Sequence, residues 1–493
     1  MFKMITPEAA GISSAHIKKY IEALNERGIH MHSVLFMKGD KIFGEYYWAP
    51  FNKDFCHRMY SETKSYVSMA IGLLYDEGKL SLDDKIADYF PEKIDTPLSE
   101  ALKNQTIRHM LTMTTVGSPG SWFTASDRDR VHYYFNRTNP TRYPGTVWDY
   151  DSAGSQVLSA LVEKLSGMSL FDFLNERIFK KLGTFKTASM LKTPSGECWG
   201  DSALLCTTRD MASFARLVLN YGKINGEQII SEAYVRAATS KQVDNSETAH
   251  DAYLSQGYGY QIWRTERNGF AFVGMGDELT ICLPEKNIIF VCTADNQGSS
   301  TSRSYIMYKF FDLIYDNISF DKLPDDENAL SELNRLGNSL ELFSAKGMED
   351  SPLREKINNV TFTCDKNPMG MHDFTFSFDN AGEGTLYYTN ENGKMVLPFS
   401  VNKNKFGKFP ELGYSQNVGA TRTTDGSKYD DAVSLAWLQE NKILVFAQLI
   451  DRYFGNTSLF FSFNGDNATV TARKTAEDFL WNYQGEAYAK RMK

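Results

Sequence analysis

Apolar residues in "SSAHIKKYIEALNERG" recur at spacings of three and four, which predicts an amphipathic helix near the start of the chain. Two apolar runs follow, "HSVLFMKGD" and "KIFGEYYW", and the turn pair Gly39-Asp40 between them predicts a hairpin. From Tyr66 to Leu74 apolar residues fall on most faces and Gly78 marks a stop, so this stretch is expected to be a buried helix. From about Leu80 to His250 the period stays helical, as in "GSQVLSALVEKLSG" and "TTRDMASFARLVLNYG". Strand-like runs then return in "GYGYQIWR", "GFAFVG", "ELTICLP" and "NIIFVCTAD", before a last helix, "SYIMYKFFDLIYD".

Two early strands and several late ones imply one antiparallel sheet flanked by helices, with a helical lobe beside it: an α/β fold of the α+β kind. A cleft between sheet and lobe is the expected place for a site. After the polar stretch "LPDDENALSELN" the pattern changes to short runs such as "DFTFSFD", "GTLYYTN", "KILVFAQLI" and "SLFFSFNG". These predict a C-terminal all-β domain, a sandwich or a barrel. The expected division is 1–324, a linker and short helix at 325–351, and the β domain at 352–493.

Composition narrows the function classes. With 42% hydrophobic and 23% charged residues in 493, the chain reads as an ordinary globular protein. A formal net charge of -8 argues against a general nucleic-acid binder, which needs positive surface to neutralise phosphates. No segment reaches the roughly 20 apolar residues that span a bilayer. Nor does the N-terminal stretch show an apolar run followed by a small-residue cleavage site. A soluble, cytoplasmic protein with no membrane or nucleic-acid partner is expected, its oligomeric state open. Cys56, Cys198, Cys206, Cys282, Cys292 and Cys364 form no C-x-x-C pair, so they read as buried thiols rather than a zinc site or disulfide framework. His30 and His32 lack a third ligand in the pattern, and neither metal nor cofactor is expected.

One spacing carries chemistry. Ser61 and Lys64 stand three apart at the head of the apolar helix, so the hydroxyl and amine share a face. A serine hydroxyl needs a partner to take its proton, and a buried amine at a helix N-terminus is one candidate. Ser189/Lys192, Ser319/Lys322 and Ser400/Lys403 repeat the spacing, but only Ser61 lies between a predicted hairpin and a long buried helix. The alternative is a capping serine with a solvated lysine. No G-x-S-x-G elbow occurs, and His57 and His109 have no acid partner evident in the sequence.

The blocks "MYSETKSYVSMAIGLLYDEGKLSLDDKIADYFPE", "TIRHMLTMTT", "PGTVWDYDSAGSQVLSALVEKLSGMSLFDFL" and "WGDSALLCTTRDMASFARLVLNYGKINGEQIIS" occur in that order. They resemble the serine β-lactamase and penicillin-binding-protein superfamily, most of all its class C-type esterases, amidases and D-amino-acid peptidases. The resemblance runs from about Pro7 to Ile318. It implies Ser61 as nucleophile, Lys64 as its partner, and Tyr150 as the tyrosine of a Y-x-N motif in which Ser152 replaces asparagine. It also places the K-T-G motif at Phe272, Val273 and Gly274, with the backbone N–H groups of Ser61 and Met275 as the oxyanion hole. Ser152, Phe272, Gly274, Trp122 and Trp148 would line the substrate pocket, with Trp199 a further candidate. Phe272 cannot supply the cation that the third-motif lysine offers to a substrate carboxylate, which points away from β-lactams. The expected activity is metal-independent hydrolysis of a small ester or amide through an acyl-enzyme. The alternatives are acyl transfer from the same intermediate and a ligand-binding protein on a decayed hydrolase fold.

Overall fold

The computed structural model describes residues 2–120, 127–249, 251–379, 382–412, 426–476 and 483–492. These described residues fall into two compact units, one within 2–294 and 299–341, the other within 295–298, 342–412 and 426–492.

The first unit is built on a seven-stranded sheet. Its strands are β1 (Lys3–Met4), β2 (Met31–Lys38), β3 (Lys41–Tyr47), β4 (Trp263–Arg264), β5 (Phe270–Val273), β6 (Leu279–Leu283) and β7 (Ile288–Ala294). They lie in the order β1-β3-β2-β7-β6-β5-β4. The early hairpin thus joins the late meander through β2 and β7, antiparallel from Ile288 opposite Lys38 to Ala294 opposite Met31.

Helices cover both faces, which is why β7 reads "IIFVCTA" without alternation. On one face Leu35, Phe270, Phe272, Ile289 and Val291 pack with residues of α2 (Thr63–Asp76), α4 (Ser152–Ser166) and α5 (Thr208–Leu219). On the other, Val34, Phe36, Ala271, Ile281 and Phe290 pack with α1 (Ser14–Glu26) and α6 (Ser302–Lys309). The short helix α3 (Arg130–Arg137) belongs to the helical lobe. The last helical run continues past α6 as a π turn at Phe310–Ile314 and a 3-10 turn at Tyr315–Asn317.

"GYGYQIWR" is a strand only at Trp263–Arg264, a correction with a local cause. Gln261 takes a left-handed backbone at φ 56°, and a Cβ on Gly259 would stand 2.0 Å from the Ala238 carbonyl oxygen. The N–H groups of Tyr260 and Gln261 donate to Ala238 and Leu111 carbonyls, so they are withdrawn from any ladder.

In the second unit ten strands form one sheet. They are β8 (Val360–Cys364), β9 (Asp373–Phe378), β10 (Glu383–Asn390), β11 (Gly393–Val401), β12 (Lys405–Lys408), β13 (Asp430–Gln439), β14 (Lys442–Ile450), β15 (Phe454–Asn464), β16 (Asn467–Ala476) and β17 (Gly485–Arg491). Of the two expected architectures it is the barrel: Ser400 and Val401 of β11 pair with Ser434 and Leu435 of β13 and close the ring. Nine strands make that ring, and in an up-and-down ring an odd count forces the closing pair to be parallel, as observed. Alternation along β9 buries Phe374, Phe376 and Phe378 in its interior. Among the described residues no helix is long and apolar enough to cross a membrane.

Candidate active site

Ser61 lies in a 3-10 turn, Tyr60–Glu62, that runs directly into α2. Tyr60 holds a left-handed backbone at φ 45°, a conformation a bulky residue adopts only when its surroundings enforce it. Those surroundings are visible. The Arg58 guanidinium stacks 4.3 Å from the Tyr60 ring centroid. On one side the Met59 N–H donates to the Leu204 carbonyl (2.8 Å). On the other, the Thr280 hydroxyl donates to Glu62 Oε1 (2.7 Å). Burial pushes the Glu62 carboxyl well up, the Thr280 hydrogen bond opposing.

The i, i+3 spacing delivers what it implied: Lys64 Nζ donates to Ser61 Oγ at 2.9 Å. Ser61 is half-buried and Lys64 1% exposed. Lys64 also donates to the Asp201 carbonyl oxygen (2.7 Å), and its Nζ lies 3.8 Å from Asp201 Oδ2. Asp201 is fully buried, a residue that sequence reasoning missed because it stands 137 positions from Lys64.

Tyr150 joins this group in a different way from a hydrogen-bonded relay. Lys64 Nζ sits 5.1 Å from the centroid of its ring, and no hydrogen bond links the two among the described residues. The next residues cap α4: the Asp151 carboxylate accepts from the Gly154 N–H (2.9 Å) and the Thr115 hydroxyl (2.8 Å). Ser152 is therefore the first residue of that helix, half-buried.

Gly274 ends β5 against the Ser61 turn, where a Cβ would stand 2.4 Å from the Met59 carbonyl oxygen. Its N–H donates to the Glu278 carbonyl (2.7 Å) and its own carbonyl accepts from Arg303 (3.2 Å). The next backbone N–H belongs to Met275, 41% exposed. Phe272 corrects the expectation of a pocket residue. It is opposite Thr280 in the ladder, has no exposure, and packs 5.7 Å from Phe214 of α5. Strand parity turns it into the core.

Trp148, by contrast, stands beside Tyr150 in an aromatic wall with Tyr258 and Trp263. Trp263 went unnoticed in the misread strand. Trp199 is 1% exposed and lies under two guanidiniums, Arg58 at 4.5 Å and Arg130 at 4.6 Å from its ring. Trp122 lies outside the described residues.

His57 does find an acid, Glu278, with Nδ1 3.1 Å from Oε1. Its Nε2, however, meets His32 Nδ1 at 2.7 Å and its Nδ1 also meets the Arg58 carbonyl at 3.2 Å, so both ring nitrogens are engaged away from Ser61. Folding supplies the partner that the sequence did not reveal, but the arrangement is not a Ser–His–acid triad.

Comparison with known proteins bears on the family and the fold. The 6-aminohexanoate-dimer hydrolase of Paenarthrobacter ureafaciens is 25% identical over 260 residues, 49% of this chain and 66% of that protein, just short of two thirds of its length. A candidate 6-aminohexanoate-dimer hydrolase from Bacillus anthracis shares the fold at a TM-score of 0.54 and 20% identity, covering 66% of this chain and 89% of that one. The octameric penicillin-binding protein homologue from Pyrococcus abyssi does so at 0.50 and 16%, over 96% of this chain and 99% of that one. The family model described as Beta-lactamase matches residues 17–306, more than half of the 493, and the chain belongs to the β-lactamase family.

Proposed function

We propose that the chain is a serine hydrolase that cleaves a small ester or amide through an acyl-enzyme on Ser61. The observation that supports this best is the 2.9 Å contact of Lys64 Nζ with Ser61 Oγ at the head of a buried helix. In the acylation step neutral Lys64 takes the Ser61 proton as Oγ bonds to the substrate carbonyl carbon. The backbone N–H groups of Ser61 and Met275 face the oxygen that becomes negative, where fixed dipoles stabilise charge without reorganising. Tyr150, its ring beside Lys64, gives its phenolic proton to the leaving group and regains one from the Lys64 ammonium; water then attacks the acyl carbon, freeing the acid and returning a proton to Ser61 Oγ.

The substrate class follows from what is missing. With Phe272 in the core, the third motif supplies no side-chain cation for a carboxylate next to the scissile bond, and the guanidinium beside it, Arg303, is engaged by the Gly274 carbonyl and Asp277. A small amide or ester without that carboxylate fits, and the relative named for 6-aminohexanoate dimer makes that dimer the first compound to test.

A fluorophosphonate probe is expected to attach once per chain, at Ser61, located by peptide mass. Unchanged labelling of Ser61→Ala overturns the assignment. A panel of esters, D- and L-aminoacyl amides, 6-aminohexanoate dimer and a chromogenic β-lactam then reads the substrate class, with turnover of the β-lactam alone counting against it.

A further inference from the structure

Lys64 is enclosed by four groups: the Ser61 hydroxyl, the Asp201 carbonyl, the Asp201 carboxylate and the Tyr150 ring face. Two of the four belong to one residue. The Asp201 carbonyl takes one Lys64 hydrogen at 2.7 Å and so aims the amine. Neither carboxylate oxygen makes a regular hydrogen bond among the described residues, although the side chain is fully buried and only the Trp199 indole faces it more loosely. An unbonded buried carboxylate is costly, and a structure keeps one only where something offsets it. Of the cation-forming groups that act on it, Lys64, Arg130 and Arg58, the amine 3.8 Å away is the one that gains its charge during the step, when it takes the serine proton.

We propose that Asp201 is the third member of a Ser61–Lys64–Asp201 relay, a positioning residue whose carboxylate stabilises the positive charge Lys64 acquires during acylation. The proposal rests on the serine hydrolase reading above. In the step itself the Ser61 Oγ–H bond breaks, its proton binds the Lys64 lone pair, and Oγ bonds to the acyl carbon. Asp201 neither gains nor loses a proton; it compensates the new ammonium. The logic is that of any nucleophile and base whose base is oriented by a third group.

The wider surroundings support this role. Burial raises the Asp201 carboxyl above its ordinary value, with Lys64, Arg130, Arg58 and the Trp199 indole opposing. The charge is thus least comfortable when Lys64 is neutral. Arg58, whose Nε also donates to the Ser202 carbonyl (3.1 Å), and Arg130 keep their charge throughout the step. The groups facing the pair are Lys64 from α2, Arg58 from the strand His57–Arg58, Arg130 from α3, the Trp199 indole, Ser61 and Tyr150.

The test is the rate of fluorophosphonate labelling against pH, in which the Ser61 oxygen bonds to phosphorus and fluoride leaves. Rates are normalised to the chains that label at completion, so partial unfolding lowers the amount and leaves the midpoint alone. An opposite charge within about 4–6 Å moves a titration by about 1–3 units. Asp201→Asn and Asp201→Ser are therefore expected to shift the midpoint of the rate to lower pH by about one unit or more. Their plateau falls about tenfold, because a less basic amine accepts the proton less well. Asp201→Glu is expected to return the midpoint toward that of the wild type. Wild-type midpoint and plateau in either neutral variant overturn the proposal while leaving Ser61 in place. Absence of labelling in the wild type instead overturns the hydrolase reading.

Discussion

The Trp263 indole lies nearly parallel to the Tyr150 phenol, 5.8 Å between centroids and 18° between planes, while Lys64 Nζ stands 5.1 Å from the same phenol ring. Tyr150 is therefore held by its ring and leaves its hydroxyl for chemistry. Tyr150→Phe keeps both ring contacts and is expected to lower kcat by about 10²-fold, within the range of lost proton transfer, with Tm unchanged. Trp263→Ala removes the stacking partner and is expected to cost less in kcat and to lower Tm. Steady-state kinetics with thermal melts separates the two, and equal kcat for wild type and Tyr150→Phe excludes the phenol from proton transfer.

Lys64→Met removes the amine at similar length. Labelling is expected to slow by about 10²–10⁴-fold. Stability also falls, because the buried Asp201 loses the amine 3.8 Å from its carboxylate and the hydrogen bond to its carbonyl. Adding Asp201→Asn is expected to recover Tm without recovering rate, a non-additive pair that a double-mutant cycle measures.

Gly274→Ala places a methyl 2.4 Å from the Met59 carbonyl oxygen and 2.9 Å from Glu278 Cβ. The backbone must separate, at about 1–3 kcal/mol of stability for overpacking. Because the same edge presents Met275, labelling should slow even among folded chains. A folded Gly274→Ala with wild-type rate removes the Met275 N–H from the proposed oxyanion hole.

In the barrel, burial and the neighbouring Asp430 push the Asp431 carboxyl up to about 7, the Gly407 N–H and Lys408 opposing. The folded state then holds a proton that the unfolded chain releases near the ordinary carboxylate value. Stability from this group is complete below about pH 4 and is lost as pH rises through about 7, on the order of 2–4 kcal/mol. Asp431→Asn is expected to raise the Tm of the barrel transition at pH 8 and to change it little at pH 4. Calorimetry at both values checks the sign.

The local pattern already contained the hairpin, the buried helix behind Ser61, the late strands and the alternating β region. Each depends on neighbours two to four positions away, which is the range of periodicity. The Ser61–Lys64 contact was legible for the same reason, since one helical turn brings the pair together. Phe272 was placed in the pocket by motif position, but pairing with Thr280 sets which face it takes, and that face is core. Ring closure by β11 and β13 decided barrel over sandwich, a pairing no local pattern encodes. Asp201 at Lys64 and Glu278 at His57 come from distant segments. Sequence thus determined the elements and the pairing of Ser61 with Lys64. Tertiary structure alone decided which charges surround that amine, because burial and electrostatic partnership depend on distance in space and not along the chain.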